Sequence, residues 1–422
     1  MAINRLKQIL SGKYLRNVGW MASAEMANRL IKLSGTVILA RMFSPQDYGL
    51  MAIIFTVSEF ANSFTLKGGI GAKIIQVDEK DLSDICNTSY WLNWITCGSL
   101  FIIQCAIAII LPYFSYDSSI VLPLCLLSLI YLTYPLFVIN LVLIERENHF
   151  KIMALCNVIV SISSTAVGIP LVLLGFGVWA IIWSMLITAP IWIILGWKYH
   201  SWRPPLRFSM KRWREVLGFG INVFGNDLLN KFRGNVDYLL VGKYLGIEAL
   251  GIYYFAFNAG SGITSSLLYH FMSPLYPYIC EVRNDYWQFK KRYFRSLKKI
   301  SVILVPLILA QAILAPLYVP IVFGEKWVSA IPVLILICLS VIPKLYASAA
   351  SLLLDAIDKN RISLYISILS TVVFVLSIIF VVQGGIVWVA SVVLLNNLVV
   401  SGISTFWINR FALQQKFFIN SC

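Results

Sequence analysis

Three charged residues interrupt an apolar stretch near the start of the sequence. The run from Val18 to Ala40 is long enough to cross a bilayer, yet it contains Glu25, Arg29 and Lys32. A helix would carry the three within about 60° of one another, on one face, with Glu25 one turn before Arg29. A charge at bilayer depth costs roughly 2.5–3.5 kcal/mol, so this face should avoid lipid. The pattern favours a watery cavity; a self-neutralised structural cluster is the alternative, although it leaves one cation unpaired.

The same signature returns about 200 residues later, which indicates an internal repeat. A shift of 202 positions places Glu25 on Asp227, Arg29 on Lys231 and Glu59 on Ser261. Gly177-Val178-Trp179-Ala180 likewise resembles the later Gly385-Ile386-Val387-Trp388-Val389-Ala390, with insertions. We therefore expect two homologous halves with a cavity between them, an N-lobe at 1–197 and a C-lobe at 215–422. The basic segment 198–214 is expected to be an interfacial helix that joins them.

The composition predicts a multi-pass membrane protein of the all-α class. Of 422 residues, 59% are hydrophobic and 13% are charged, whereas soluble domains carry about 25% charged residues. We predict about twelve transmembrane helices, in two six-helix lobes: 18–40, 46–66, 90–111, 120–143, 152–174, 177–197, 216–241, 249–275, 300–322, 329–355, 362–383 and 386–408. The N-terminal residues before the first of them have the spacing of an amphipathic membrane-surface segment.

The net charge of +15 reflects membrane topology rather than nucleic-acid binding. Of the 34 Lys and Arg residues, 26 lie in predicted loops on the side of the termini, and only three lie in loops on the other side. By the positive-inside rule, both termini are expected in the cytoplasm. The remaining five cations lie inside predicted spans.

These intramembrane cations suggest anion binding. Arg29, Lys32, Lys231, Arg233 and Lys344 could hold phosphate oxygens, arginine being better suited to bidentate contact. Nearby polar residues could bind sugar hydroxyls: Asn28, Thr56, Asn226, Asn230, Asn235, Asn258 and Ser261. Four acids are candidates for coupling to H⁺ or Na⁺, although neutralising the cations explains them as well: Glu25, Glu59, Asp227 and Asp237.

No pattern for a metal, a redox centre or catalysis accompanies them. The eight cysteines form no Cys-x-x-Cys pair or Cys/His cluster, so neither a metal nor a structural disulfide is expected. The glycines at 68–71 lack the sequence of a phosphate loop, so no nucleotide cofactor is expected.

Seven short segments in order resemble the polysaccharide-export flippases, the Wzx-type members of the MOP exporter superfamily (the MATE-like multidrug, oligosaccharidyl-lipid and polysaccharide exporters). They are RMFSPQDYGL at 41–50, GIGAKIIQ at 69–76, ERENHFK at 145–151, GVWA at 177–180, WRPPLRFS at 202–209, DYLLVGKYLG at 237–246 and FGEKW at 323–327. The resemblance covers nearly the whole chain. Many relatives have fourteen spans, whereas twelve are predicted here.

The resemblance implies two six-helix lobes around a central cavity and alternating access. It also implies transport of undecaprenyl-pyrophosphate-linked sugar repeat units across the bacterial inner membrane, with polymerase and glycosyltransferases of the same pathway as partners. A MATE-like multidrug or cation antiporter is the first alternative, although its cavity would need more acids. A membrane-embedded polymerase or glycosyltransferase is less favoured, because the predicted external loops are too short for a catalytic centre.

Overall fold

The structure is a computed structural model that describes residues 35–64, 67–114, 117–204, 208–283 and 285–413. Within these ranges, the side chains of residues 67–70, 72, 218–227, 230, 263 and 360 are not described. The chain divides into two compact units, residues 1–232 and 233–422.

The described chain is helical almost throughout. After a helical stretch at 35–42, the longer helices are α1 (Pro45–Ser63), α2 (Lys67–Gln76), α3 (Glu79–Ile110), α4 (Val121–Thr133), α5 (Val138–Arg146), α6 (Phe150–Leu173), α7 (Val178–Tyr199), α8 (Trp213–Phe257), α9 (Ile263–Met272), α10 (Leu275–Cys280), α11 (Tyr286–Tyr318), α12 (Ile331–Ala356), α13 (Asn360–Val381) and α14 (Ile386–Ala412). Nine helical stretches in the described part are long and apolar enough to cross a membrane. The prediction of an all-α membrane protein is confirmed.

The nine stretches cover the third to twelfth predicted spans. The predicted seventh and eighth spans run together in one stretch, Lys231–Cys280. Gly246 interrupts it with φ +86°, a left-handed conformation that favours glycine. Helix α1 coincides with the second predicted span but is not among the nine, and most of the first predicted span lies outside the described residues.

The segment RMFSPQDYGL forms a capped helix start. The Ser44 hydroxyl accepts the Asp47 backbone N–H at 3.2 Å, the Asp47 carboxylate accepts the Ser44 N–H at 3.0 Å, and Pro45 occupies the first turn. The same carboxylate packs against Gly177, where a Cβ atom would lie 2.7 Å from Asp47 Oδ1. Two of the seven segments that suggested the family thus meet at one packing contact.

The described residues of the linker between α7 and α8 are not helical, so the prediction of an interfacial helix at 198–214 is wrong. Residues 200–204 and 208–210 are irregular, and the next helix begins at Trp213. Asn140 Nδ2 donates to the Trp202 carbonyl at 2.9 Å, and the Trp202 ring packs edge-on against Tyr90. Proline explains the difference, because Pro204 has no N–H and disfavours a helical conformation at the residue before it.

One loop geometry occurs in both units. Asn148, between α5 and α6, and Asp358, between α12 and α13, are the non-glycine residues with positive φ among those described, and both have φ 57°. Each donates its backbone N–H to the carbonyl three residues before it, at Glu145 and Asp355. Asn and Asp tolerate this left-handed conformation better than other non-glycine residues. Gly177 and Gly385, which the sequence paired, both have positive φ directly before a helix.

Each of these turns is held by an ion pair to a residue of another segment in the same unit. Arg146 pairs with Glu79 in the first unit, and Arg283 pairs with Asp358 in the second. The turn therefore supplies the cation in one unit and the anion in the other.

Candidate functional site

Several predicted site residues lie outside the description. Residues Glu25, Asn28, Arg29 and Lys32 precede the described chain, and the side chains of Asn226, Asp227 and Asn230 are not described, although their backbone is helical. Their proposed roles stay predictions.

The second unit contains a buried carboxyl group, that of Asp237. The Asp237 side chain has 2% of its surface exposed, and the Tyr253 hydroxyl donates to its Oδ2 atom at 2.7 Å. Its Oδ1 atom has no hydrogen-bond partner among the described residues. Asp237 and Tyr253 come from opposite sides of the break at Gly246, so the bond joins the two helical parts of α8.

Arg233 lies one turn before Asp237 on α8 but is held by a different helix. Its guanidinium donates to the Ser370 hydroxyl at 3.1 Å and to the Ser367 hydroxyl at 3.4 Å, both on α13. Ser367 and Ser370 are three residues apart and therefore share one face of that helix. Hydroxyl acceptors fix the guanidinium without neutralising it.

Lys344 on α12 completes the group. Its ammonium interacts electrostatically with Arg233 and with Asp237. The residue is exposed, whereas its neighbour Leu345 is fully buried. Among the ion pairs of the described chain, none joins Asp237 to either cation within 4.0 Å.

Arg233, Asp237 and Lys344, which we call the cation cluster, bring two positive charges and one negative charge to one place. A cation with no carboxylate in direct contact keeps its donors available for an anion, and arginine can grip two oxygens of one phosphate. Lysine adds a compact point charge beside it. The cluster is therefore chemically suited to a phosphate group at membrane depth.

Two predicted sugar-binding residues of the second unit lie in a π-helical turn, which is wider than an α-helical one, at Asn258–Gly262. The Asn258 side chain is exposed and donates to the Tyr254 carbonyl, while Ser261 is buried and donates to the Phe257 carbonyl. Gln311 on α11 donates to the carbonyls of Ala259 and Gly260 at 2.8 and 3.0 Å, which satisfies backbone groups that the wide turn frees. The Asn258 side chain is thus accessible to a ligand, whereas the Ser261 hydroxyl is buried and already bonded to its own helix.

The remaining predicted residues that the structure describes are Lys231, Glu59, Thr56 and Asn235. In the first unit, Lys231 Nζ donates to the Glu59 backbone carbonyl at 3.2 Å. Thr56 is buried, and its hydroxyl has no partner among the described residues. Asn235, in the second unit, is buried.

Sequence reasoning missed Tyr253, Ser367, Ser370 and Gln311. The two serines carried a weak signal, since hydroxyls three residues apart share a helix face. Tyr253 and Gln311 carried none, because a single aromatic or amide residue in an apolar helix has many packing roles.

Comparison with known proteins identifies the family of this chain. The family model described as "Polysaccharide biosynthesis protein" matches residues 38–332. The teichuronic acid biosynthesis protein TuaB of Bacillus subtilis is 23% identical over 405 residues, which cover 93% of this chain and 81% of TuaB. The lipopolysaccharide biosynthesis protein WzxC of Escherichia coli is 26% identical over 393 residues, which cover 88% of this chain and 75% of WzxC.

Solved structures agree on the fold. The lipid II flippase MurJ in an inward closed conformation matches with a TM-score of 0.74 at 15% identity, over 95% of this chain and 90% of MurJ. An inward-facing multidrug resistance MATE transporter matches with a TM-score of 0.69 at 14% identity, over 94% of this chain and 96% of that transporter. From the family match and this fold, we conclude that the chain belongs to the polysaccharide biosynthesis protein family and is a multi-pass membrane protein with a MATE- and MurJ-like fold.

Proposed function

We propose that this protein moves undecaprenyl-pyrophosphate-linked oligosaccharide repeat units from the cytoplasmic to the periplasmic leaflet by alternating access. The cation cluster is the observation that carries the proposal. A lipid-linked oligosaccharide has an apolar tail that can stay in lipid, while its pyrophosphate and glycan must cross the apolar region. The family membership supports a substrate that belongs to polysaccharide biosynthesis.

Arg233 and Lys344 would hold the pyrophosphate during the crossing. Expelling an anion from a cell with a negative interior is favourable by about 2.3 kcal/mol per charge per 100 mV, so ATP is not required. Asp237 would adjust the charge of the cluster by taking up H⁺ or Na⁺ when the phosphate binds and releasing it when the phosphate leaves. Polymerase and glycosyltransferases of the same pathway would be its partners, and both termini would lie in the cytoplasm of a bacterial cell.

The alternative is a MATE-like multidrug or cation antiporter. Such a transporter needs a binding site with excess negative charge, whereas the cation cluster has two cations for one carboxylate. An increased drug susceptibility after deletion, with unchanged surface polysaccharide, would favour the antiporter.

Removing the cluster's positive charge tests the flippase. In a strain that lacks its own copy, we expect Arg233→Gln and Lys344→Gln each to lower surface polysaccharide about tenfold or more, because a hydrogen bond to a charged group contributes about 1.5–3 kcal/mol. Lipid-linked oligosaccharide should then accumulate in the cytoplasmic leaflet. Arg29→Ala and Lys231→Ala are expected to abolish surface polysaccharide without loss of membrane insertion.

Arg295→Gln is the matched control, because Arg295 is an exposed cation near the start of α11. It should leave polysaccharide output unchanged. Full output from an Arg233→Gln/Lys344→Gln double variant, present in the membrane at the level of the unaltered protein, would contradict the proposal.

A further inference from the structure

A cleft of about 380 Å³ lies within the first unit, between the end of α4 and helices α6 and α7. Its polar lining comes from Thr133, Asn157, Ser161, Ser164, Thr165 and Thr188. None of the described residues that line it carries a charge. The volume falls in the usual range of small-molecule sites, about 300–1,000 Å³.

The lining presents mainly hydrogen-bond acceptors. The hydroxyl protons of Thr133, Thr165 and Thr188 are engaged with carbonyls of their own helices at 2.7–2.8 Å. The Asn157 amide nitrogen likewise donates to the Met153 carbonyl at 3.0 Å. A threonine oxygen keeps its lone pairs after donating, and the asparagine keeps its carbonyl oxygen. A ligand that complements these groups must therefore be rich in O–H donors.

Ser161 and Ser164 add adaptable groups. Neither side chain has a hydrogen bond within the described part of the chain, and a serine hydroxyl can donate or accept. They lie on α6, and Thr165 is one turn after Ser161. Three hydroxyl groups of α6 thus line the same cleft.

Aromatic rings form the other part of the wall. Trp192 is stacked on Phe137, with ring centroids 5.9 Å apart and planes at 17°. Tyr134 is fixed by its hydroxyl, which donates to Asn62 Oδ1 at 3.3 Å. A rigid aromatic ring offers a flat apolar surface, which suits the C–H face of a sugar ring.

We propose that this cleft binds an uncharged sugar ring of the lipid-linked oligosaccharide. The inference rests on the proposed function and adds a site in the first unit to the cation cluster of the second. A phosphate would find no cation among the lining residues, and an acyl chain would leave the Ser161 and Ser164 hydroxyls without hydrogen bonds. A sugar ring matches both the acceptor-rich lining and the aromatic wall.

Binding of two lipids to the purified full-length protein in nanodiscs tests this. One is lipid-linked oligosaccharide extracted from the producing cells, and the other is undecaprenyl pyrophosphate, which has no glycan. The test variant is Ser161→Ala/Ser164→Ala/Thr165→Val, which removes three hydroxyls with little change in shape. We expect about tenfold weaker binding of the oligosaccharide lipid and unchanged binding of undecaprenyl pyrophosphate.

Thr96→Val is the matched control. The Thr96 hydroxyl donates to the Leu92 carbonyl at 2.8 Å, as Thr165 does to Ser161, but Thr96 does not line the cleft. It should leave both affinities unchanged, and restoring the serines in the test variant should recover binding. Melting temperatures of all variants verify that the fold is intact.

The outcomes separate the two proposals. If the unaltered protein binds neither lipid, the proposed function fails and the sugar site fails with it. The second case is that the unaltered protein binds both lipids. If the test variant then binds both with unchanged affinity, or binds both more weakly by the same factor, the cleft does not recognise sugar and only this inference is overturned.

Discussion

The Tyr253 hydroxyl reaches the Asp237 carboxylate at 2.7 Å across the helix break at Gly246. Tyr253 is fully buried and Asp237 nearly so. The bond therefore satisfies a carboxyl group in an apolar interior and holds together the two parts of α8. Because Asp237 also interacts with Lys344, the tyrosine fixes the acidic member of the cation cluster.

Tyr253→Phe should destabilise the protein and impair transport. It leaves a buried carboxyl oxygen without its donor, which costs about 1–3 kcal/mol, and it frees Asp237 to move towards the cations. Thermal unfolding of the purified protein and surface polysaccharide measure the two effects. Tyr244→Phe is the control, since Tyr244 is exposed. Equal melting temperatures for both variants would show that the bond does not stabilise the fold.

Replacing both serine partners of Arg233 should affect function more than stability. In Ser367→Ala/Ser370→Ala the guanidinium keeps its charge but loses the acceptors that fix it on α13. We expect polysaccharide output to fall severalfold, less than in Arg233→Gln. Ser377→Ala is a control on the same helix, since the Ser377 hydroxyl donates to the Val373 carbonyl of its own helix. Unchanged output from the double variant would mean that Arg233 is positioned by other contacts.

Two glycines of α8 should respond in opposite directions to alanine. Gly246 has φ +86°, where a side chain costs about 1–3 kcal/mol, although no atom lies within 4 Å of a Cβ built there. Gly234 lies in regular helix with equally open space, so alanine should be neutral or stabilising by about 0.5–1 kcal/mol. Melting temperatures of the two variants provide the comparison. A Gly246→Ala variant as stable as Gly234→Ala would show that the break does not require glycine.

The two ion-paired turns should differ in strength. Arg146 donates to the carbonyls of Ile74 and Val77 besides pairing with Glu79, and its side chain is 16% exposed. Arg283 and Asp358 are 43% and 72% exposed, and such surface pairs contribute at most about 1 kcal/mol. Arg146→Gln should therefore lower the melting temperature clearly, whereas Arg283→Gln should lower it little. Equal shifts would mean that the carbonyl contacts of Arg146 add nothing.

The helices were predictable because hydrophobic length is a strong signal in membrane proteins. The third to sixth and ninth to twelfth spans follow from it directly. The missing loop between the seventh and eighth spans was not predictable, since one glycine at positive φ interrupts the helical conformation with little change in hydropathy. The proline signal at 204–205 was present, but the basic and aromatic residues around it favoured an amphipathic helix.

The charged residues of the candidate site could be identified from the sequence, but the residues that contact them could not. Arg233, Asp237 and Lys344 were identified because charged residues are rare at membrane depth. Which cation would lie beside which acid depends on helix packing, and Lys344 on α12 is more than 100 residues from Arg233 and Asp237 on α8 in the chain. The hydroxyl-lined cleft was missed because serine and threonine are also common where transmembrane helices pack closely.

The repeated turn at Asn148 and Asp358 suggests how such a chain could have arisen. A half-length ancestor that paired with a copy of itself would have used a single version of this loop twice. In both copies the turn would have supplied the same charge to the ion pair. Under that hypothesis the backbone shape outlasted the side chains that hold it, because the turn supplies the cation in one unit and the anion in the other. Each turn is therefore stabilised from inside its own unit, so changing one of the two ion pairs leaves the other intact.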